Sequence, residues 1–279
     1  MLKRLLCYSQ YILPQHAISM LAGKFANTKR AWIKNKLIDL FCRHYRVDLT
    51  EAAIQNPHDY ETFNLFFTRA LKPGARPIVT DANTIASPAD GVLAALGTIH
   101  QQQLIQAKNR HFDATTLLGG QADLGALFQN GHYATIYLAP HNYHRVHMPV
   151  TGKLRQSVFI PGKLFSVNHM TSQLIPSLYA RNERLALIFD TDIGPVAVIL
   201  VGALIVGSMQ TIWMTQPKRS QQLEIDTPTT DICLEKGAEL GRFLLGSTVI
   251  LLLPSRPISW SKAASPDASI QTGQLLCTC

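Results

Sequence analysis

The first fifty residues repeat apolar positions with a helical period. Leu2, Leu5, Leu6, Ile12 and Leu13 fall within an arc of about 120° on a helical wheel, with Lys3 and Arg4 outside it. Pro14 predicts an end or a kink there, since proline lacks the amide hydrogen that a helix interior needs. Ile18, Leu21, Ala22 and Phe25 form a second stripe, and Ile33, Leu37, Leu40 and Phe41 a third. From residue 75 onward short β-branched runs, punctuated by Gly, Pro, Asn and Asp, replace this pattern. Ala134 to Leu138, Leu185 to Phe189, Val196 to Val201 and Thr248 to Leu253 are expected as strands. The fold class is therefore α+β, with N-terminal amphipathic helices followed by a β-rich catalytic body. The expected division is a helical region over residues 1–60 and a β-rich domain over 61–279. No internal repeat is present.

One run tests this reading. No charge falls between Asp192 and Lys218, and Ile193 to Gly207 is apolar apart from its glycines and proline. That length permits a membrane span. Gly194-Pro195, Gly202 and Gly207 interrupt it, however, and its Val and Ile content favours strands. Two buried strands are the expectation.

Charge changes the picture of the helices. Nine of the 26 Lys and Arg residues lie in residues 1–50, beside only Asp39 and Asp48, so the rest of the chain is nearly neutral. A basic, amphipathic segment on a neutral body suits electrostatic attachment to anionic lipid. The alternative, a helical layer packed on the protein's own core, uses the same stripes. Cysteine adds little: Cys7, Cys42, Cys233, Cys277 and Cys279 are odd in number and confined to the two ends. No disulfide framework is implied, and a reducing compartment is expected. No Cys/His pair completes a metal site with Cys277-x-Cys279, so no metal is expected. Tyr8, Ser9, Gln10 and Pro14 break what would be the apolar core of a signal peptide, and none is expected.

Three stretches carry candidate chemistry. Ser87-Pro88-Ala89-Asp90-Gly91 sets a carboxylate in a turn before a strand. Tyr143-His144-Arg145-Val146-His147 holds two histidines three residues apart, which in an extended segment face opposite ways. Leu245-Gly246-Ser247-Thr248 brings a serine to the entrance of an apolar strand. Taken singly, each has an ordinary structural explanation.

Together, in order, they resemble the phosphatidylserine decarboxylase family. The resemblance runs through Thr62-Phe63-Asn64, Phe66-Phe67 and Arg69, then Pro88 to Gly91, Tyr143 to His147, Pro161-Gly162, Phe165 to Asn168 and Arg181 to Arg184. It ends on Lys236 to Val249, the family's processing region. It implies a proenzyme that cuts itself between Gly246 and Ser247. The serine hydroxyl attacks the preceding carbonyl with His147 as general base and Asp90 holding the imidazole. Elimination and hydrolysis then leave a pyruvoyl group derived from Ser247, the cofactor, which forms a Schiff base with the substrate amine. His144 is the candidate acid or substrate-positioning group for decarboxylation.

The same resemblance implies a large chain of residues 1–246 paired with a small chain of residues 247–279, with room for a dimer of such pairs. It implies phosphatidylserine as substrate, and a peripheral place on the cytoplasmic side of the cell membrane. Arg145, Arg181 and Arg184 could meet a lipid phosphate or pair internally. The chain departs from the family pattern in a short stretch over residues 215–235, in the aliphatic Leu240 and Leu245, and in a tail after Pro254 that matches no motif. Three rival readings remain at this point. A hydrolase could use Ser247, His147 and Asp90, although the Gly-x-Ser-x-Gly elbow is absent. A membrane scaffold would leave the motifs unused. Nucleic-acid binding would use the basic residues near Tyr8, Tyr11, Trp32 and Tyr45 but lacks any recognition signature, so no nucleic acid is expected.

Overall fold

The computed structural model describes residues 2–107, 110–204, 209–214, 220–244 and 247–279. Leu245 and Gly246 lie outside the described residues, as do the apolar 205–208 and part of the 215–235 stretch. The side chains of Leu2, Lys3, Leu5, Leu6 and Ser247 lie outside them too.

Three helices open the chain: α1 (Leu2–Ser9), α2 (Gln15–Ala26) and α3 (Ala31–Tyr45). The first stops at Ser9, earlier than the apolar stripe suggested, so Ile12 and Leu13 belong to the turn before Pro14. Proline disfavours helical geometry in the residue before it, which keeps Leu13 out of the helix, and tighter turns carry the chain from Cys7 to Ile12.

All four expected strands form, each extended by one to three residues, as His132–Leu138, Arg184–Thr191, Gly194–Val201 and Ser247–Leu253. They are consecutive or neighbouring members of one antiparallel sheet, nine-stranded among the described residues. Its order runs Glu224–Asp226, Gly152–Ile160, Arg184–Thr191, Gly194–Val201, Ser247–Leu253, His132–Leu138, Gly91–Thr98 and Ser269–Ile270, with Cys233–Leu234 also on Gly152–Ile160. Ser247–Leu253 is thus an interior strand, paired on both sides.

The sheet has a core on each face. Val249, Leu251 and Leu253 share one cluster with Val146, Met148, Leu240 and Phe243, whereas Ile250 and Leu252 share the other with Ile38, Phe63, Phe66 and Phe67. This is the period-2 alternation of a strand buried on both sides. On the first of these faces a small sheet packs, ordered Met209–Thr211, Glu239–Phe243, Arg145–His147. The chain therefore passes from one sheet to the other between Phe243 and Ser247.

The Ile193 to Gly207 run begins as the strand Gly194–Val201, and no described helix is long and apolar enough to cross a membrane. The tail after Pro254 also has a structural place. Ser269–Ile270 pairs with Gly91 and Val92, and Leu275–Thr278 pairs with Thr84–Ala86.

α2 is built inside out. Its polar Gln15 and Ser19 are buried, while Met20, Leu21 and Phe25 are each more than half exposed. The buried amide has work there: Gln15 Oε1 accepts from Leu164 N at 2.7 Å, and Gln10 Oε1 from Ser166 N at 2.8 Å. Ile12 is 85% and Trp32 71% exposed. The α3 stripe divides, with Leu37 and Phe41 against the core and Leu40 outside it. The stripes thus pack in part on the protein's own core and in part face outward.

Candidate active site

Asp90 sits where the turn enters the strand Gly91–Thr98. A Cβ on Gly91 would come 2.3 Å from the Tyr137 carbonyl oxygen, so only glycine lets the strands close at this point. The Asp90 carboxylate is buried and accepts from Arg76 Nη2 at 2.6 Å, from Arg76 Nε at 3.0 Å, and from Thr272 N at 2.8 Å. Gln274 and Gly273 bond the backbone of Ser87, so the tail clasps the whole motif.

His147 has different partners from those expected. Its Nδ1 lies 2.8 Å from the Gly237 carbonyl oxygen and its Nε2 2.9 Å from the Tyr143 hydroxyl. The role of holding the imidazole, assigned to Asp90 in the sequence, belongs here to a main-chain carbonyl, because the Asp90 oxygens are taken by Arg76 and Thr272. A carbonyl only accepts, so Nδ1 carries the proton and Nε2 is the basic nitrogen. Gly237 adopts φ +84°, a left-handed turn that glycine reaches without strain. Burial lowers the His147 pKa, and the Gly237 carbonyl, Glu239 and Asp90 partly offset this. The ring is neutral at physiological pH, as a base must be.

His144 and His147 face opposite ways, as their odd spacing requires. His144 is fully buried, tilted against Phe67 with ring centroids 4.0 Å apart. Its Nδ1 bonds the Asn142 carbonyl at 2.8 Å, and its buried Nε2 has no hydrogen-bond partner among the described residues. Burial pushes its pKa down to about 3. With Nδ1 on a carbonyl, Nε2 is the acceptor nitrogen at rest.

Ser247 is placed by its backbone. It pairs with Leu138 at the start of the interior strand, and Gly246, the other half of the expected cleavage site, lies outside the described residues. Register locates the histidines relative to it. His147 pairs with Glu239, whereas Phe243 N bonds the His144 carbonyl at 3.1 Å. The end of the strand that leads to Ser247 is therefore the His144 end.

A cavity of about 220 Å³ adjoins His147, lined by Lys72, Arg76, Tyr143 and Arg145. Its cations are internally engaged: Arg145 pairs with Glu239 at 2.7 Å, Arg76 with Asp90 and Glu51, and Lys72 bonds the Thr50 carbonyl. Arg184 is buried on the carbonyls of Leu117, Asn182 and Thr116. Arg181 is exposed, with its guanidinium over Tyr11 and Phe165. A larger cleft, about 570 Å³, lies between α2 and Pro161 to Leu164, beside the apolar face and lined by none of Asp90, His144 or His147. The described residues hold no cluster of three or more His, Cys, Asp or Glu suited to a metal, and burial pushes the Cys277 thiol up to about 12. Arg76 has no sequence signal that marks it, and Tyr143, Gly237 and Glu239 stand in the sequence only within longer motifs.

Known proteins resemble this chain over nearly its whole length. A profile of the family described as phosphatidylserine decarboxylase matches residues 63–278, and a second, described as PSD, matches residues 5–46. The first match includes the tail that the motifs left unassigned. The chain is 49% identical to the phosphatidylserine decarboxylase proenzyme of Stutzerimonas stutzeri, over 98% of this chain and 94% of that one. It is 48% identical to the proteins of the same name from Ectopseudomonas mendocina (99% and 98% covered) and Azotobacter vinelandii (98% and 97%).

Proposed function

This chain belongs to the phosphatidylserine decarboxylase family, and on that premise we propose that it decarboxylates phosphatidylserine at a membrane surface with a pyruvoyl group made from its own Ser247. The observation that carries the self-cleavage half of this reading is the contact of His147 Nδ1 with the Gly237 carbonyl, which fixes the tautomer. With Nδ1–H committed to the Gly237 carbonyl, Nε2 is the nitrogen that can receive the Ser247 hydroxyl proton as Oγ attacks the Gly246 carbonyl carbon. Breaking the Gly246–Ser247 amide gives an ester. Elimination and hydrolysis at Ser247 then leave the new end of the small chain. Asp90 favours the imidazolium electrostatically, from its place beside Arg76.

The position fits such a group. Ser247 supplies all of its carbons and opens a strand whose next residue, Thr248, is paired on both sides. A pyruvoyl group supplies a ketone that condenses with the substrate amine and takes up the electrons released as carbon dioxide leaves. His144 brings to this end of the strand a buried Nε2 with no partner among the described residues, and serves there as an acceptor that positions substrate. His147→Ala and Asp90→Asn should accumulate uncut chain. His144→Ala should cut nearly normally and decarboxylate poorly, by about a hundredfold. Electrophoresis and release of labelled carbon dioxide read the two effects separately, and the opposite pattern would exchange the roles of the histidines.

The inside-out α2 supports the membrane half of the reading. Exposed Ile12, Met20, Leu21 and Phe25, flanked by Lys24 and Arg30, suit the interface of an anionic bilayer, here the cytoplasmic side of the cell membrane. Salt should weaken vesicle binding without abolishing it, since the Debye length falls from about 10 Å at 0.1 M to about 3 Å at 1 M while apolar burial persists. Changing Met20, Leu21 and Phe25 together to serine should cost more binding than 1 M salt does. Sedimentation with phosphatidylserine vesicles measures both, and full binding by the triple variant would place the membrane surface elsewhere.

A further inference from the structure

The outward-facing helices are joined to the Ser247 end of the sheet by a continuous set of hydrogen bonds. Gln10, in the turn after α1, and Gln15, at the start of α2, hold the backbone at Ser166 and Leu164. Gln15 also donates to the Gln10 carbonyl at 2.7 Å, and a ring nitrogen of His16 lies 2.9 Å from the Gly162 carbonyl oxygen. The gripped loop is bonded in turn to Asn182. The amide oxygen of Asn182 accepts from Phe165 N at 3.0 Å, and its nitrogen donates to the carbonyls of Phe165 and Gly202, both at 2.8 Å. Gly202 N donates to the Glu183 carbonyl at 2.8 Å, so both backbone groups of Gly202 are held by 182–183. Gly202 follows Val201, the partner of Thr248, and so stands level with Ser247 on the adjoining strand.

Asn182 is fully buried, and its side chain makes three hydrogen bonds to other segments. An apolar residue there would leave those backbone groups unpaired in the interior, at a cost for each. α2 itself is lightly held. Gln15, Ser19 and Ala26 are its buried residues, while Met20, Leu21 and Phe25 face outward. Water gives that apolar face no reason to stay in one attitude, and a bilayer does.

We propose that Asn182 is a positioning residue through which α2, once its apolar face lies in a bilayer, steadies the strand end beside Ser247 and speeds turnover of membrane substrate. This rests on the membrane reading and on Ser247 as the reacting position. The two states are α2 seated, with the bonds of Gln10 and Gln15 made, and α2 lifted from the loop. A bilayer that holds α2 seated favours the first, and coupling between two places needs no more than such a difference. Membrane contact then acts on the site as well as bringing it to its substrate.

The test separates binding from turnover. Gln10→Ala with Gln15→Ala leaves Met20, Leu21 and Phe25 in place, so this double variant should sediment with phosphatidylserine vesicles as the wild type does. Decarboxylation of vesicle phosphatidylserine, counted per molecule that is both cut and bound, should fall about tenfold, a usual size for coupled sites. Dispersed dihexanoyl phosphatidylserine, which offers no bilayer, should be turned over at a rate changed far less. Asn182→Asp keeps an acceptor for Phe165 N, lacks the donor to Gly202, and should show the same vesicle-specific loss. In the wild type, hydrogen exchange at the amides of Leu164, Ser166 and Gly202 should slow when vesicles are added. Wild-type turnover per bound molecule in either variant overturns the proposal, and so does equal slowing on both substrates, which a merely structural loss would give. If the variants do not fold, exchange at wild-type Gly202 that ignores vesicles overturns it instead. Wild-type protein left in the supernatant would remove the membrane reading itself, whereas binding without these effects removes only the coupling.

Discussion

Changing Ser247 to alanine is expected to leave one uncut chain of 30.9 kDa with no decarboxylase activity. Alanine keeps the strand, since the ladder around position 247 uses backbone groups, but it has no oxygen to attack Gly246 and no hydroxyl to eliminate. Both maturation and turnover should vanish together, which distinguishes this substitution from a loss at a binding residue. The active wild-type protein should give two masses, for residues 1–246 and for a 33-residue partner ending at Cys279. A hydrazine should add to the smaller one, because only a ketone condenses with it. Full activity from an uncut chain carrying an ordinary serine would defeat the whole reading.

Removing Arg76 should have the largest effect on stability. The Asp90 carboxylate is 7% exposed and the Arg76 guanidinium 11%, with two N–H groups of the arginine directed at the carboxylate. Arg76→Ala leaves a buried carboxylate with one backbone N–H from Thr272, a loss of about 3–5 kcal/mol. That is a large part of the 5–15 kcal/mol, in order of magnitude, by which domains are stable. Asp90→Asn should be milder, because the amide keeps a partner in Thr272 and Arg76 keeps Glu51. Denaturant titration in the Ser247→Ala background, where the chain stays whole, compares the two. Equal midpoints for Arg76→Ala and the parent would mean that the pair contributes nothing to folding.

These expectations depend on features that the sequence exposes unequally. The strands His132–Leu138 and Gly194–Val201 are legible because β-branched runs and glycine breaks are local signals. Their neighbours in the sheet are not legible, since pairing joins segments far apart in the chain. Opposite faces for His144 and His147 follow from counting three along an extended backbone. The partner of His147 does not follow from any count: it is the carbonyl of Gly237, 90 residues on, and a main-chain group has no residue-type signature. Arg76 pairs with Asp90 across 14 residues with no motif to announce it. The apolar stripe of α2 was visible, but which way it pointed was not. Only the contacts of Gln10 and Gln15 with the 164–166 backbone decide that polar residues turn inward there.

If the chain is cut before Ser247 as proposed, the interior position of Ser247–Leu253 bears on what becomes of the two pieces. Every residue from Val249 to Leu253 is fully buried, contributing to both cores, and the strand is hydrogen-bonded along both edges. For the small chain to leave, five large aliphatic side chains would return to water at about 1.5–3 kcal/mol each, and the sheet would open in its middle. Departure is then not a dissociation between finished surfaces but an unfolding of the whole body, with the slow rate that unfolding has. Added small chain in solution cannot displace the bound one, and dilution cannot separate them. On that reading each large chain would keep for its lifetime the small chain with which it was translated.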